Sequence, residues 1–548
     1  MKKQMHNLFV LNSRLKTFLS LLILLLPAIS LYATFLSNPL VFDDLAFFDK
    51  SVHAHYLDKI FSFSLRWLPY ASLEWTQHLV GANMLWYRLG NLALHLATTV
   101  TLFFFLHRLF DLMLPELINN KAKLSNHWLA FFAALIFSLH PASVYAVGYL
   151  IERSILMATL FALLTWLLFL QGLVKNNKVL LMGSCVTYLL AVLSKEHAIM
   201  VPAVAAMLVL LVKGSPKLCW FGFGCLSEKN QLNMAWLKPI WLAFILYALV
   251  GLFVVYQVKL GGVLGQAYEP NASNLIARLG LEPHLAYSLS LIMQTEMFFK
   301  YLWLWLLPNP ASMSIDMHPA FALHLWSWSN MLWLFGFIIY PFIALRLLFK
   351  KGAVGLLGFA LLCPWLLFAT EFGAVRIQEP FVIYRSYLWM PCLFAVLPYI
   401  FQKFSAKVAS YTLITIAIIA FALSWVNLVT FSQGILLWDD AVMLAEKNGE
   451  NAPGNERMYY NLGNAYKRLK SDQGAIKYYN QAIKIGGPKA PLTSAAYQNI
   501  ARIYFYAGHY PKANEFFKKT LALDPKNKHA IDGLADSLKA IKKQNGVD

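Results

Sequence analysis

Eleven apolar runs of roughly membrane-spanning length, set between short basic connectors, dominate this chain. Few folds other than a helical bundle in lipid can bury so many, because crossing the hydrocarbon core as helix takes about 20 apolar residues. The runs are 17–35, 86–107, 128–146, 154–173, 178–194, 197–213, 237–258, 330–349, 353–370, 386–401 and 409–431. With 59% hydrophobic and only 13% charged residues, the balance excludes a soluble globular domain of this length. The expected fold class is therefore all-α: a polytopic membrane helical bundle of about 11 spans over 1–431, followed by a small helical domain over 432–548.

A net charge of +19 raises the question of nucleic acid. The Lys and Arg residues flank the apolar runs or lie in the last hundred residues, which is a topology signal and implies no nucleic-acid partner. Four basic residues and no acid precede the first run, so the sequence predicts an uncleaved first span with a cytoplasmic amino terminus. A twelfth segment, 289–307, is apolar but carries Gln294, Glu296 and Lys300. If it crossed, Arg346, Lys350 and Lys351 would face outward, against the positive-inside tendency. If it stays on the outer surface or re-enters, every basic connector faces the cytoplasm. The preferred topology has eleven spans in a bacterial inner membrane, a periplasmic carboxyl-terminal domain, and long outer loops at 36–85, 259–329 and 371–385.

The composition changes after Phe431. Tyr460, Leu462, Gly463, Ala465, Tyr466, Ala475 and Ala482 recur 38 residues later as Gln498, Ile500, Ala501, Ile503, Tyr504, Ala513 and Thr520. This resembles a tetratricopeptide repeat with about four inserted residues. Such a tail is either a small peptide-binding groove or a cap on the membrane domain. The five cysteines, Cys185, Cys219, Cys225, Cys363 and Cys392, match no metal or redox spacing and are expected to be reduced and structural. No metal site and no cofactor are expected.

Phe42-Asp43-Asp44 lies just after the first span, inside the apolar stretch Leu36 to Phe48. Adjacent carboxylates in such surroundings are poorly solvated and repel one another, which suits one of them to general-base work; the alternative is a solvated loop or a helix cap at Asp43. Arg66, Arg88, Arg153, Lys195 and Arg385 lie on or near the outer face in this topology. Cations there bind an anion such as a lipid phosphate, or else snorkel to membrane-lipid headgroups. Glu152-Arg153 and Lys195-Glu196 each juxtapose opposite charges between two spans, and salt bridging is the first reading for Glu152 and Glu196. His95 and His140 read as packed or hydrogen-bonded.

Several short motifs follow one another in a familiar order. Phe42-Asp43-Asp44 leads to Arg66-Trp67-Leu68-Pro69, Tyr87-Arg88-Leu89-Gly90-Asn91 and Ser138-Leu139-His140-Pro141 to Glu152-Arg153. Leu193-Ser194-Lys195-Glu196, Ser314-Ile315-Asp316, Tyr384-Arg385-Ser386-Tyr387 and Trp438-Asp439-Asp440 come after. The series resembles the transmembrane-and-tetratricopeptide-repeat O-mannosyltransferases and their bacterial relatives, a family of the GT-C glycosyltransferases, although the tail here is much shorter than in the animal members. The resemblance implies a polyprenyl-phosphate-linked sugar donor and an acceptor on the outer face. It also implies a base at Asp43 or Asp44, and generally no metal.

On that resemblance, Arg153, Lys195 and Arg385 are donor-phosphate candidates, and Arg66, Arg88, Glu152 and Asp316 are substrate-binding candidates. The segment Phe298 to Leu307 either lines a groove for the polyprenyl tail or is a surface-lying helix. The expected function is O-glycosylation of an exported protein, with the tail positioned outside to meet that acceptor. The alternatives are transfer to a glycolipid or polysaccharide, as in lipopolysaccharide modification or O-antigen ligation, and a non-catalytic export scaffold.

Overall fold

The computed structural model describes residues 2–48, 64–81, 83–117, 120–213, 234–449 and 454–544, and among these the regular structure is entirely helical. Six helices are long and apolar enough to cross a membrane: Met84–Met113, Leu150–Lys175, Pro239–Leu260, Trp328–Leu348, Gly352–Gly373 and Ala406–Thr430. A bent pair, Asn126–Ser138 with Pro141–Val147, makes a seventh if counted as one span. The remaining expected runs form shorter apolar helices, Thr17–Ala33, Lys178–Ser194, Glu196–Val212 and Pro391–Phe401. At about 1.5 Å per residue, Lys178–Ser194 and Pro391–Phe401 fall short of the roughly 30 Å hydrocarbon core, whereas Thr17–Ala33 is the apolar part of the longer helix Lys2–Ala33 and Glu196–Val212 runs to Lys213, where the described residues stop.

The apolar helices differ in what solvates them. Only 17% of the most apolar stretch of Trp328–Leu348 is buried inside the protein, against 67% for Leu150–Lys175. The first presents apolar side chains outward, where lipid is their natural solvent, and the chain is accordingly a membrane-spanning helical protein. Small residues set the closest approaches inside the bundle. A Cβ on Gly358 would lie 2.6 Å from the Ala344 carbonyl oxygen, so only glycine lets Gly352–Phe368 pack back on Trp328–Leu348.

The bend at 138–141 positions the functional region. Proline disfavours helix in the residue before it, and His140 is extended at φ −74° and ψ 133°. The two helices therefore meet at 61°. His140 Nδ1 accepts from the Ala142 amide at 3.2 Å and caps the second helix, while its Nε2 donates to the Trp305 carbonyl at 3.1 Å. The redirected helix delivers Tyr149 to Glu152 to one end of the bundle. Segment 286–306 is a 21-residue helix whose buried face includes Tyr301 and Trp305 and whose Glu296 and Lys300 pair with each other at 2.8 Å.

Beyond Ala406–Thr430 come Gly434–Asn448 and then five helices, Glu456–Arg468, Asp472–Gly486, Pro491–Tyr506, Tyr510–Leu523 and Lys528–Gln544. Successive helices pack as pairs around Ala475, Tyr479, Ala496 and Ile500. Met458, Tyr459 and Leu462 of the first pair join the core of the membrane region itself. Cys185, Cys363 and Cys392 are free and buried; Cys219 and Cys225 lie outside the described residues, as does 49–63 of the first expected outer loop.

Candidate active site

Phe42 has φ +49°, a conformation bulky residues rarely adopt, and it turns the chain sharply into the short helix Asp43–Phe47. Three residues hold that turn. Arg88 donates to the carbonyls of Asn38, Pro39 and Gly148 at 3.0, 2.5 and 2.8 Å, and so ties the loop before the acidic pair to the end of the bent helix. Asp44, fully buried, accepts the Val41 and Ile151 amides at 3.3 and 2.9 Å. The Asp43 amide donates to the Tyr149 hydroxyl at 3.0 Å.

The two carboxylates thereby acquire different roles. Asp44 is a structural clamp between the loop and Ile151, and burial lifts its carboxyl to about 7. Asp43 is solvent-accessible, yet enough protein surrounds it that desolvation, reinforced by the Glu379 carboxylate, lifts it to about 6. An accessible carboxylate poised near neutrality has the properties of a general base.

Around Asp43 the contacts close into a circuit. Tyr149 faces Tyr384, with ring centroids 6.0 Å apart. Lys195 Nζ lies 4.9 Å from the centre of the Tyr384 ring and donates to Glu152 Oε2 at 2.7 Å. Next to Tyr384, Arg385 pairs with Glu371 at 3.0 Å and Glu379 at 3.3 Å. Glu379 in turn meets Arg457 at 3.4 Å, and the Arg457 guanidinium lies 5.2 Å from the centre of the Phe42 ring, back at the start.

Of the residues singled out in the sequence, the structure thus gathers Asp43, Asp44, Glu152, Lys195 and Arg385. Asp316 joins through Arg457, which it grips with both oxygens, at 2.9 Å to Nε and 2.5 Å to Nη2. Burial disfavours the Asp316 charge, but Arg457 and His318 outweigh it and hold the carboxyl well below the usual range.

Three other candidates are engaged elsewhere. Arg153 turns toward the helices Trp67–Val80 and Met84–Met113, donating to Asn91 Oδ1 at 2.9 Å and to the carbonyls of Tyr87 and Ser72 at 2.8 and 3.2 Å. Its donors are spent on helix packing, a position more suited to architecture than to phosphate capture. Arg88 is committed to the three carbonyls above. Arg66, in a left-handed conformation at φ +61°, forks onto the two oxygens of Glu196.

Glu371, Glu379, Tyr149 and Arg457 belong to the site but carry no individual sequence signal, whereas Tyr384 stands in a motif quoted above. Glu371, Glu379 and Tyr384 all fall in 371–385, the third expected outer loop. Arg457 opens a repeat helix, and nothing in its local pattern directs it to the membrane region.

Next to Asp316 opens a cavity of about 870 Å³, between the helix Ala286–Leu306, the loop 312–320 and the start of the tail. Phe299, Trp303, Leu306, Trp333 and Phe381 make it largely apolar. Among the described residues no group of three or more His, Cys, Asp or Glu is placed to hold a metal ion.

Fold and site together define a membrane-spanning helical protein with a cluster of charged and aromatic side chains where the tail meets the bundle. Residues 454–526 match the family model described as tetratricopeptide repeat. None of the curated proteins matches the chain.

Proposed function

We propose that the chain is a GT-C-type glycosyltransferase that moves a sugar from a polyprenyl-phosphate carrier to a hydroxyl of an exported protein. In this reading the bundle has eleven spans in a bacterial inner membrane, with the amino terminus cytoplasmic and the site and tail periplasmic. Asp43 accepts the proton of the acceptor hydroxyl as its oxygen bonds to the anomeric carbon. The bond from that carbon to the phosphate oxygen breaks, and the lipid phosphate departs with the electron pair. Attack opposite the leaving group inverts the anomeric centre. Lys195 and Arg385 hold the phosphate, because stabilising a developing anion is usually the largest catalytic contribution. The apolar cavity beside Asp316 takes the polyprenyl chain.

The observation that supports this reading is the circuit of contacts around Asp43, in which an exposed carboxylate lifted to about 6 is linked through Tyr149 and Tyr384 to Lys195 and Arg385. The tetratricopeptide tail, which reaches the site through Arg457, favours a protein acceptor over a glycolipid or polysaccharide, since such repeats bind peptides.

Glycan mass spectrometry of exported proteins tests it. A deletion strain is expected to lose one glycoform, which the wild-type gene restores and a D43N gene does not. An unchanged glycan profile on deletion, or full restoration by D43N, overturns the proposal.

A further inference from the structure

The cations of the site are not free. Lys195 is paired with Glu152, and Arg385 with Glu371 and Glu379. An anion that takes up the Arg385 guanidinium must therefore compete with a carboxylate, and the geometry distinguishes which one. Glu371 is almost fully buried and shared by Arg376, Arg385 and His197 at 3.2, 3.0 and 3.2 Å. Glu152 is tightly held at 2.7 Å, with its side chain 9% exposed. Glu379 is different. Its side chain is 24% exposed and bridges two guanidiniums by long contacts, Oε2 to Arg385 at 3.3 Å and Oε1 to Arg457 at 3.4 Å.

Each of those guanidiniums has a second, stronger anchor. Arg385 keeps Glu371, and Arg457 keeps both oxygens of Asp316. Removing Glu379 from between them would leave two oriented, desolvated forks converging on one small space and still fixed in place. That is the arrangement with which arginine binds phosphate oxygens. One fork comes from the bundle and the other from the first repeat helix, Glu456–Arg468.

The docking of that helix is itself specific. Glu456, the neighbour of Arg457, pairs with Arg278 at 2.5 Å. Gly454, at φ +105°, lies so close to His318 that a Cβ there would be 2.6 Å from the ring. Opposite charges at 456 and 457 thus engage separate points of 259–329, Arg278 at the end of the helix Ala272–Arg278 and Asp316 after the helix Ala286–Leu306, which fixes the register of the helix and the aim of Arg457.

Resting on the glycosyl-transfer reading, we infer that Arg457 and Arg385 form the phosphate-binding fork of the donor site, and that Glu379 occupies the phosphate position until the donor displaces it. The tetratricopeptide unit is then a structural part of the active site as well as a surface for acceptors.

Binding to the full-length protein in lipid nanodiscs tests this, with a short-chain polyprenyl phosphate as probe and the uncharged polyprenol as control. Wild type is expected to bind the phosphate and not the alcohol. R457Q is expected to weaken binding roughly 10- to 100-fold, the scale of a lost hydrogen bond to a charged group, and R457K to recover part of it. E379Q removes the competing charge and is expected to tighten binding several-fold. A strap that merely holds the tail predicts the opposite sign, because losing the Glu379 contact would loosen Arg457.

Unchanged binding in R457Q, or unchanged or weaker binding in E379Q, overturns the inference and leaves the glycosyl-transfer reading standing. If R457Q does not fold, the sign of the E379Q effect decides alone. No binding of the phosphate by wild type removes the donor reading itself.

Discussion

Asp43 and Asp44 are consecutive in the chain but serve different media: Asp44 is sealed against the Val41 and Ile151 amides, and Asp43 is exposed beside Tyr149. The separation predicts opposite phenotypes. D43N should lower transfer by on the order of 10² to 10⁴, the usual contribution of a general base, while leaving thermal unfolding of the purified protein unchanged. D44A should destabilise by about 1–3 kcal/mol, because two buried amides lose their acceptor. Initial rates and unfolding curves on the same preparations check both.

The acidic pair also sets a pH dependence. Asp43 must be ionised to accept a proton, so the rate should rise with pH through about 6 and then level. For stability the sign runs the other way. Asp44 sits at about 7 in the folded protein, above its unfolded value near 4, so the folded state holds the proton more tightly. Its contribution is greatest below about pH 4 and is lost as pH rises through 7. Wild type should therefore lose stability relative to D44N between those limits, as measured by unfolding midpoints over a pH series.

How much of this was legible in the sequence depends on how local each feature is. An apolar run declares itself within its own residues, as does the 38-residue spacing that pairs Gly463 with Ala501. A broken helix is harder to read. The Pro141 bend is visible only as a proline, and the run 386–401 divides into Ser386–Trp389, Pro391–Val396 and Leu397–Phe401 around Pro391 and Pro398. Side-chain direction is not local at all. Arg153 and Lys195 look alike in sequence, each beside a glutamate at the end of a span. Only packing decides that Arg153 is spent on Asn91 and Tyr87 while Lys195 lies over Tyr384. Arg457 acts across the whole length of the chain, where no spacing rule reaches.

The engagement of Arg153 in helix packing has a measurable consequence at Gly90. A Cβ there would lie 2.8 Å from Arg153 Nη2, and that guanidinium is held by acceptors on Asn91, Tyr87 and Ser72. It cannot yield without breaking a buried bond. G90A should therefore destabilise by roughly 1–3 kcal/mol, the range for overpacking a tight interior. G183A, where the nearest atom is an ordinary 3.6 Å away, should have little effect. Unfolding of the two variants under identical detergent conditions makes the comparison.

The Lys195–Glu152 pair separates structure from catalysis most directly. Both side chains are buried, at 4% and 9% exposure, and joined at 2.7 Å. K195M leaves an uncompensated carboxylate in a poorly solvated place and should destabilise by about 3–5 kcal/mol, whereas E152Q/K195M removes both charges and should recover most of that loss. Activity should not follow stability. A lysine that meets the departing phosphate is missing from both variants, so transfer should stay roughly 10- to 100-fold low in the double variant despite its restored fold. If rate and unfolding midpoint recover together, the pair is a helix tie and Lys195 has no part in binding the donor.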